Sequence, residues 1–311
     1  MLEYLAKERV AVLDAMDKGL ASSMDGLPFG PLAIDMGQRL LDYSKRGKTI
    51  RGCLVRLGFE LCGGDTSDLV LAKACADAGA AMELFQSGLL IHDDIMDRDD
   101  TRRGSPTIHV AYKIALADFG ASESDHNGQS LAICMGDIAY FVAFSMLTRL
   151  TAPMDRVQNV LRLAADELSL VCVAQARDVA NGCGTGLFGQ PGEPSEADIL
   201  SLYRKKTGRY TFSLPLAMGA NLAGSSAQAR RALEDAGELL GVAFQLKDDE
   251  LGILADQVAL GKPLGSDLRE DKKTLIRQRL LAHPATNSTV KAIFGKPDAA
   301  KSELDMVRAE A

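Results

Sequence analysis

Residues 68–97 are DLVLAKACADAGAAMELFQSGLLIHDDIMD, and this stretch decides the fold class of the 311-residue chain. Ala, Leu, Met and Gly dominate it and β-branched residues are few, a composition typical of helix. A helix over 72–92 would be apolar on more than one face, and such a helix belongs inside a bundle. Similar stretches recur at 130–150, 155–180 and 226–254 without clean strand alternation. We therefore predict an all-α protein with loops at 24–30, 63–67, 119–129, 183–195 and 261–267.

The bulk composition predicts one large domain and excludes several classes of protein. The chain is 47% hydrophobic, and neither a repeat nor a long linker divides it, so we predict a single domain over residues 1–311. A net charge of −7 argues against a nucleic-acid binder. Six scattered cysteines without a CxxC pair indicate reduced thiols in a cytoplasmic protein. Asp137 interrupts the most apolar stretch, 131–147, which falls short of a membrane span, so we predict no stable membrane insertion.

Two acidic clusters follow long apolar stretches, about half a chain apart. The first contains Asp93, Asp94 and Asp97, and the second contains Asp248 and Asp249. Helical positions i and i+4 share a face, so Asp93 and Asp97 should project together with Asp94 beside them. Carboxylates in such surroundings are costly unless a cation neutralises them. Magnesium carrying a phosphorylated substrate is the natural candidate, and the alternative is an acidic helix end that faces solvent.

Basic residues surround the first acidic cluster and follow the second. Lysine offers phosphate a point charge, and arginine can fork onto two of its oxygens. Each residue alone is more often a solvated surface charge, but together they suit two diphosphates, one carried by magnesium and one held by bare cations. The basic residues are Lys48, Arg51, Arg102, Arg103, Lys262 and Lys272.

In their order and spacing these motifs resemble those of the trans-isoprenyl diphosphate synthases, also called polyprenyl synthetases. The resemblance runs from about Gly47 to Thr274 and implies the isoprenoid synthase type I fold, a single-domain helical bundle with a central cavity, assembled as a homodimer. It also implies a chain that lacks the family's usual C-terminal helices. The matching pieces are GKTIR (47–51), ELFQSGLLIHDDIMDRDDTRRGSPTIH (83–109), GD (136–137), QARD (175–178), KTGRY (206–210), FQLKDD (244–249) and GKPLGSDLREDKKTL (261–275).

The activity that the resemblance implies is magnesium-dependent prenyl transfer, with three ions per active site. Isopentenyl diphosphate and an allylic diphosphate would condense into a longer trans-prenyl diphosphate and release pyrophosphate. Magnesium and cationic side chains would stabilise the charge that develops on the leaving pyrophosphate. The double bond of isopentenyl diphosphate, held alongside, would attack the allylic cation, so no protein nucleophile is required.

The resemblance also implies a role for each matching residue. The metal ligands are Asp93, Asp94, Asp97, Asp248 and Asp249, with Gln175 and Asp178 supporting the metal cage. The residues at the isopentenyl diphosphate site are Lys48, Arg51, Gln86 and Arg103. The residues at the allylic diphosphate are Arg102, Lys206 and Lys262. The residues near the reacting carbons are Thr207, Tyr210 and Gln245, with Lys272 as a further substrate-binding residue. The group with catalytic roles is Arg102, Lys206, Thr207, Gln245 and Lys262.

Product length should depend on the helix before the first motif, because in the family the product tail grows along it. Gly88 would leave that path open beside Leu89, and Phe85, about one turn deeper, could close it. One helical turn is about 5.4 Å, close to one isoprene unit. We therefore favour a C20 product over C15 or C25, with Phe85 as ordinary core packing being the alternative.

The sequence departs from the family pattern in the second motif. Gly252 replaces its usual final aspartate, and Asp256 lies two turns on, too far to substitute directly. This departure keeps open a non-catalytic or partner-dependent subunit of a prenyl synthase. A class I terpene cyclase fits less well, because it would not need cations for a second diphosphate. An HD-type phosphohydrolase, suggested by His92, fails because no earlier histidine exists to complete its metal site.

Overall fold

The computed structural model describes residues 2–25, 27–182, 193–254, 266–284, 286, 288–296 and 298–310, and the predicted all-α class is confirmed. The first half contains α1 Leu2–Met24, α2 Gly30–Lys45, α3 Ile50–Leu61, α4 Leu69–Met96, β1 Thr101–Arg102, β2 Ser105–Pro106, α5 Ile108–Asp118 and α6 Ser124–Thr148. The second half contains α7 Met154–Gly182, α8 Glu196–Leu202, a π-helix Tyr203–Ser213, α9 Leu214–Ala223, α10 Ala227–Leu254, α11 Ser266–Arg269, α12 Leu275–Ala282, α13 Ser288–Lys291 and α14 Lys301–Glu310.

The long helices begin and end close to their predicted bounds. The side chain of Asp68 accepts hydrogen bonds from the first-turn N–H groups of Val70 and Leu71, which fixes the start of α4. The prediction of a loop over 119–129 was wrong in its second half, because α6 begins at Ser124. Gly128 does not break this helix; a Cβ there would lie 2.6 Å from the carbonyl oxygen of His109, so glycine permits α5 and α6 to approach closely.

The chain contacts group into two compact units. Unit 1 is Met1–Asp166 with Thr211–Ala236, and unit 2 is Glu167–Tyr210 with Gly237–Ala311. The single domain over residues 1–311 and the missing C-terminal helices stay predictions. After Thr274 the described chain contains α12, α13 and α14.

In unit 1, α4 is the central helix and packs against α1, α3 and α6, while α3 also packs against α9 and α5 against α6. The contact of α3 with α9 is close enough to exclude a side chain at Gly219, where a Cβ would lie 1.9 Å from the carbonyl oxygen of Val55. Each large core side chain contributes about 1.5–3 kcal/mol by leaving water. The largest fully buried ones include Phe59, Met82, Leu84, Phe85, Met135 and Met218.

A short hairpin with two-residue strands follows α4 and joins it to α5. Its strands pair Thr101 with Pro106 and Arg102 with Ser105, which leaves Arg103 and Gly104 in the turn. Both turn residues have positive φ, 52° and 73°, as in a type I′ hairpin turn. Gly104 adopts this conformation without steric cost, whereas Arg103 stores backbone strain there.

Unit 2 has its own apolar core and an unusual widened helix. The π-helix carries the KTGRY motif, and its Arg209 forms ion pairs with Glu167 and with Glu238, the latter at 2.7 Å. Mid-chain π-helical turns are rare and frequently occur at functional sites.

The apolar core of unit 2 contains Ile253, Leu268, Leu280, Val290, Ile293, Ala299, Leu304 and Val307.

One helix among the described residues is long and apolar enough to cross a membrane by length and composition alone. This is α6, with a mean hydropathy of 1.7 over an 18-residue window. Core helices of globular proteins pass the same test, and 44% of that window is buried inside the protein.

Candidate active site

The first aspartate cluster lies at the C-terminal end of α4, where its three carboxylates have different surroundings. Asp94 is fully buried, whereas Asp93 and Asp97 are half-buried. Asp97 is the C-cap residue of α4, and its backbone N–H donates to the carbonyl of Asp93 at 2.8 Å. Asp93 and Asp97 therefore stand one turn apart on the accessible side of the helix, as predicted. Asp94 points into the protein instead.

The buried carboxylate of Asp94 is bonded from two sides. The hydroxyl of Tyr43 donates to Asp94 Oδ2 at 2.9 Å, and Arg102 Nε donates to Oδ1. Burial raises the pKa of Asp94 to about 6, with the charge and hydrogen bond of Arg102 and the hydrogen bond of Tyr43 acting in the opposite direction. Asp94 is thus an internal acid that holds α2, α4 and the hairpin together.

Arg102 is the predicted contact of the allylic diphosphate, and the structure surrounds it with carboxylates. Besides Asp94, its guanidinium lies 3.2 Å from Asp99 and 3.8 Å from Asp93. Only 9% of its surface is exposed. Arg102 therefore joins the buried Asp94 to Asp93 on the accessible side of α4, and both are predicted metal ligands.

Three of the residues predicted to bind isopentenyl diphosphate are cations, and all three lie in unit 1. Lys48 is exposed directly before the N-terminus of α3, and Arg51 lies in that helix's first turn. The guanidinium of Arg103 lies over Gly47, where a Cβ would come within 3.1 Å of Arg103 Nη1. Arg51 Nη2 donates to Thr211 Oγ1 at 2.6 Å. Three cations therefore meet at the start of α3, whose N–H groups also favour an anion.

Gln86, the remaining residue predicted for the isopentenyl site, is half-buried on α4. It follows Glu83 by three residues and so shares a face of the helix with it. Glu83 is almost fully buried, and its Oε1 accepts a hydrogen bond from the N–H of Gly52 in α3 at 2.8 Å. The structure thus connects the face of α4 that carries Gln86 with the first turn of α3.

In unit 2, the two aspartates of the second cluster separate into one exposed and one buried side chain. Asp248 is exposed on α10. Asp249 is 4% exposed; its Oδ1 accepts from Gln245 Nε2 at 2.8 Å, and its Oδ2 accepts from the hydroxyl of Tyr203. Tyr203 in turn accepts the N–H of Leu275 at 3.1 Å. A metal-binding role for Asp249 stays a prediction, and the structure shows that this carboxylate links α10 to the π-helix.

The π-helix brings together the predicted residues near the reacting carbons. Thr207 Oγ1 donates to Gln245 Oε1 at 2.6 Å, which fixes the orientation of that amide. Lys206 Nζ is hydrogen-bonded to the carboxylate of Asp178 on α7 at 2.5 Å. Tyr210 is buried near the end of the π-helix. Unit 2 therefore contains a connected set that runs from Lys206 to Asp249.

The chain matches a known protein family and solved structures of its members. The family model described as polyprenyl synthetase matches residues 36–310. The chain belongs to the polyprenyl synthetase family. Its predicted isoprenoid synthase fold is confirmed by the crystal structure of a geranylgeranyl pyrophosphate synthase from Corynebacterium glutamicum, complexed with isoprenyl diphosphate and magnesium. That structure is 29% identical, with a TM-score of 0.88 over 98% of this chain and 86% of the other.

Relatives in the polyprenyl synthetase family support the match along most of the chain. The geranylgeranyl diphosphate synthase of Sulfolobus acidocaldarius is 32% identical over 84% of this chain and 72% of its own length. Short chain isoprenyl diphosphate synthases of Methanocaldococcus jannaschii and Methanothermobacter thermautotrophicus are 34% and 35% identical over 78% and 74% of this chain. The match spans 66% and 62% of those two relatives, just under two thirds of their length.

The carboxylates present fit magnesium, which prefers hard oxygen ligands and keeps several waters and substrate phosphate oxygens. Asp93 and Asp97 on α4 and Asp248 on α10 are the accessible carboxylates of the two motifs. Among the described residues, no three His, Cys, Asp or Glu side chains come close enough together to form a complete metal site. An ion held by either motif would also take ligands from water and phosphate oxygens, as magnesium usually does.

The residues predicted to control product length are all buried or half-buried on α4. Phe85 is fully buried and meets Phe144 of α6 edge to face at 4.9 Å. The role of Gly88 in leaving the product path open stays a prediction; a Cβ there would lie 2.6 Å from Tyr140 and 2.9 Å from the carbonyl of Gly136. Gly88 lets α4 and α6 pack closely, and Leu89 is half-buried beside it.

Three residues named in the sequence analysis remain, and two of them lie outside the described residues. Lys272 forms an ion pair with Glu270 at 3.2 Å, and Lys262 and Asp256 fall in the part of the chain that the structure does not describe. Sequence reasoning missed the supporting residues Arg9 and Glu83. Arg9 Nη2 donates to the carbonyls of Lys45 and Gly47 at 2.8 and 3.4 Å, which anchors the loop before Lys48. Arg9 lies outside every matching piece; Glu83 opens the piece 83–109, but its letter alone does not show that it bonds α3.

Proposed function

We propose that the chain is a magnesium-dependent trans-prenyltransferase that condenses isopentenyl diphosphate with an allylic diphosphate, with a C20 product favoured. Family membership supports this activity, and so do the names of the relatives, which are short chain, geranylgeranyl and geranylfarnesyl diphosphate synthases. The observation that carries the proposal is the group of three cations at the start of α3, within the unit that also contains the aspartates of α4. A cyclase that acts on one diphosphate would not need these cations.

In the proposed reaction, the cations bind and orient the two diphosphates. Lys48, Arg51 and Arg103 hold isopentenyl diphosphate by charge and by guanidinium hydrogen bonds, without a metal. Lys206 carries positive charge toward the allylic diphosphate, and Asp178 orients its ammonium group. Asp93 and Asp97 on the one hand, and Asp248 on the other, would hold magnesium, which would supply positive charge for the leaving pyrophosphate.

The bond changes need no protein nucleophile. The allylic C–O bond breaks and leaves an allylic cation and pyrophosphate. The double bond of isopentenyl diphosphate then forms the new C–C bond, and a proton leaves to a pyrophosphate oxygen. The amide of Gln245 and the hydroxyl of Thr207, fixed to each other at 2.6 Å, present oriented dipoles to the developing positive charge.

The remaining features are part of the same proposal. We propose three magnesium ions per active site, a cytoplasmic location and a homodimer. The free state of the cysteines among the described residues suits a reducing compartment. Phe141 and Ile133 on α6 are 73% and 47% exposed, which suits burial against a second copy.

Incubation of the purified protein with magnesium, labelled isopentenyl diphosphate and separate C5, C10 and C15 allylic primers tests the proposal. We expect a discrete elongated prenyl alcohol after dephosphorylation, at C20. A cyclic hydrocarbon formed from an allylic diphosphate alone would overturn the synthase in favour of a cyclase. Phe85→Ala with an unchanged product length would remove Phe85 as the floor of the product site.

A partner-dependent subunit of a prenyl synthase is the second candidate, and one observation favours it. With Gly252 in the fifth position and Asp249 buried, Asp248 is the accessible aspartate that the described part of the second motif presents. Folded protein that forms no product with any primer would support this candidate against the synthase.

A further inference from the structure

The first turn of α3 is stabilised by another helix and not by its own cap. The N-cap residue Thr49 has φ of 56°, in the left-handed region, and its side chain makes no capping hydrogen bond. The N–H of Gly52 donates instead to Glu83 Oε1 of α4 at 2.8 Å. Glycine at this crossing makes the reach possible, because a Cβ on Gly52 would lie 2.9 Å from the carbonyl of Gly79. A carboxylate from α4 thus replaces the missing cap of α3.

This first turn carries Arg51, and Arg103 lies over the adjacent Gly47. Both guanidinium groups are close enough to Glu83 for their charges to oppose the effect of burial, which raises the pKa of this carboxyl. Glu83 is 6% exposed. Burying a charge in this way is costly unless paired groups offset the cost. A functional role would explain why a buried charge is kept.

The hydrogen bond from the N–H of Gly52 does not require a charged acceptor. The amide oxygen of glutamine would accept the same N–H at no cost in buried charge. Only a negative charge can hold two guanidinium groups and the positive end of a helix close to one another. The presence of glutamate at position 83 is therefore explained by the two arginines and not by packing.

We propose that Glu83 is a positioning residue for isopentenyl diphosphate: its buried carboxylate holds the first turn of α3, with Arg51 and Arg103, in the arrangement that receives the diphosphate. The inference rests on the proposed function and adds to it a residue that does not itself contact the substrate. It acts through the arginines, so its effect should be confined to one of the two substrates.

Glu83→Gln tests this role, with Ser87→Ala as the matched control. Ser87 lies one turn further along α4, is equally buried, and bonds Ser44 Oγ at 2.7 Å and the carbonyl of Glu83 at 2.9 Å. We expect Glu83→Gln to raise the KM for isopentenyl diphosphate about tenfold, with kcat and the allylic KM within about twofold. Ser87→Ala should lower the free energy of unfolding and leave both KM values unchanged.

A second measurement separates this inference from the proposed activity. The metal-free protein should bind isopentenyl diphosphate in EDTA by calorimetry, and Glu83→Gln should weaken that binding about tenfold. Equal affinity in both proteins, or equal changes in both KM values, would overturn the positioning role. Wild-type protein that binds isopentenyl diphosphate without turnover would refute the proposed activity alone, since the binding comparison still decides the role of Glu83.

Discussion

Replacement of Gly219 by alanine tests how α3, with the cations at its start, is held in unit 1. A Cβ on Gly219 would lie 1.9 Å from the carbonyl oxygen of Val55 and 2.5 Å from the N atom of Phe59. Non-bonded carbon contacts lie near about 3.5 Å, so α3 and α9 would have to separate by about 1.5 Å. The obstructing atoms belong to the backbone and cannot rotate away.

The energetic cost should therefore fall at the high end of the range for overpacked cores, about 3 kcal/mol of unfolding free energy. The displacement should also break the hydrogen bond between Arg51 and Thr211, now 2.6 Å long. We expect a lower urea midpoint by circular dichroism and, in the protein that remains folded, a higher KM for isopentenyl diphosphate.

Gly182→Ala is the control for the Gly219 substitution. No heavy atom of the described residues would lie within 4 Å of a Cβ on Gly182, the last residue of α7. Alanine is a better helix former than glycine by about 0.5–1 kcal/mol, so this variant should be as stable as the wild type or more so. A Gly219→Ala protein with the wild-type urea midpoint would refute the close backbone contact on which this reasoning depends.

Further predictions concern charge, a buried hydroxyl and metal. Burial raises the pKa of Glu83, so its stabilising contribution is complete below its unfolded pKa of about 4.3 and is lost as pH rises through the folded pKa. Urea titrations should show Glu83→Gln gaining stability relative to wild type as the pH rises above about 4, and a pH-independent difference would contradict this. Tyr203→Phe removes the donor to the buried Asp249 and should lower the unfolding free energy by about 1.5–3 kcal/mol in the same assay; an unchanged midpoint would count against that hydrogen bond. Asp93→Asn should raise the magnesium concentration for half-maximal product formation about tenfold or more, and an unchanged magnesium titration would remove Asp93 from the metal ligands.

The elements of the fold were predictable where composition alone decides them. The apolar stretch 68–97 forms α4 from Leu69 to Met96, and the stretch 226–254 forms α10 from Ala227 to Leu254. The π-helix was not predictable, because long-range ion pairs of Arg209 with Glu167 and Glu238 accompany its widened turns. No local preference in the sequence encodes those partners.

The candidate site was predictable in its residue types but not in the orientation of each side chain. Helical spacing correctly put Asp93 and Asp97 on one side of α4. It could not show that the hydroxyl of Tyr43, 51 residues earlier, would donate a hydrogen bond to a buried Asp94. Glu83 opens the matching piece 83–109, but its bond to the N–H of Gly52 depends on a crossing of α3 and α4 that only the folded chain reveals.

The hairpin after α4 directs two adjacent arginines, which we propose bind different diphosphates, to different partners. Neighbouring strand and turn residues point in different directions, so Arg102 turns to Asp94 and Asp99 while Arg103, in its left-handed conformation, lies over Gly47. Two buried acids on α4, Asp94 and Glu83, face these two guanidinium groups, and burial raises the pKa of both. Acids with raised pKa values reduce stability at neutral pH. Their presence beside the arginines is therefore better explained by the positioning of the two diphosphates than by the stability of the fold.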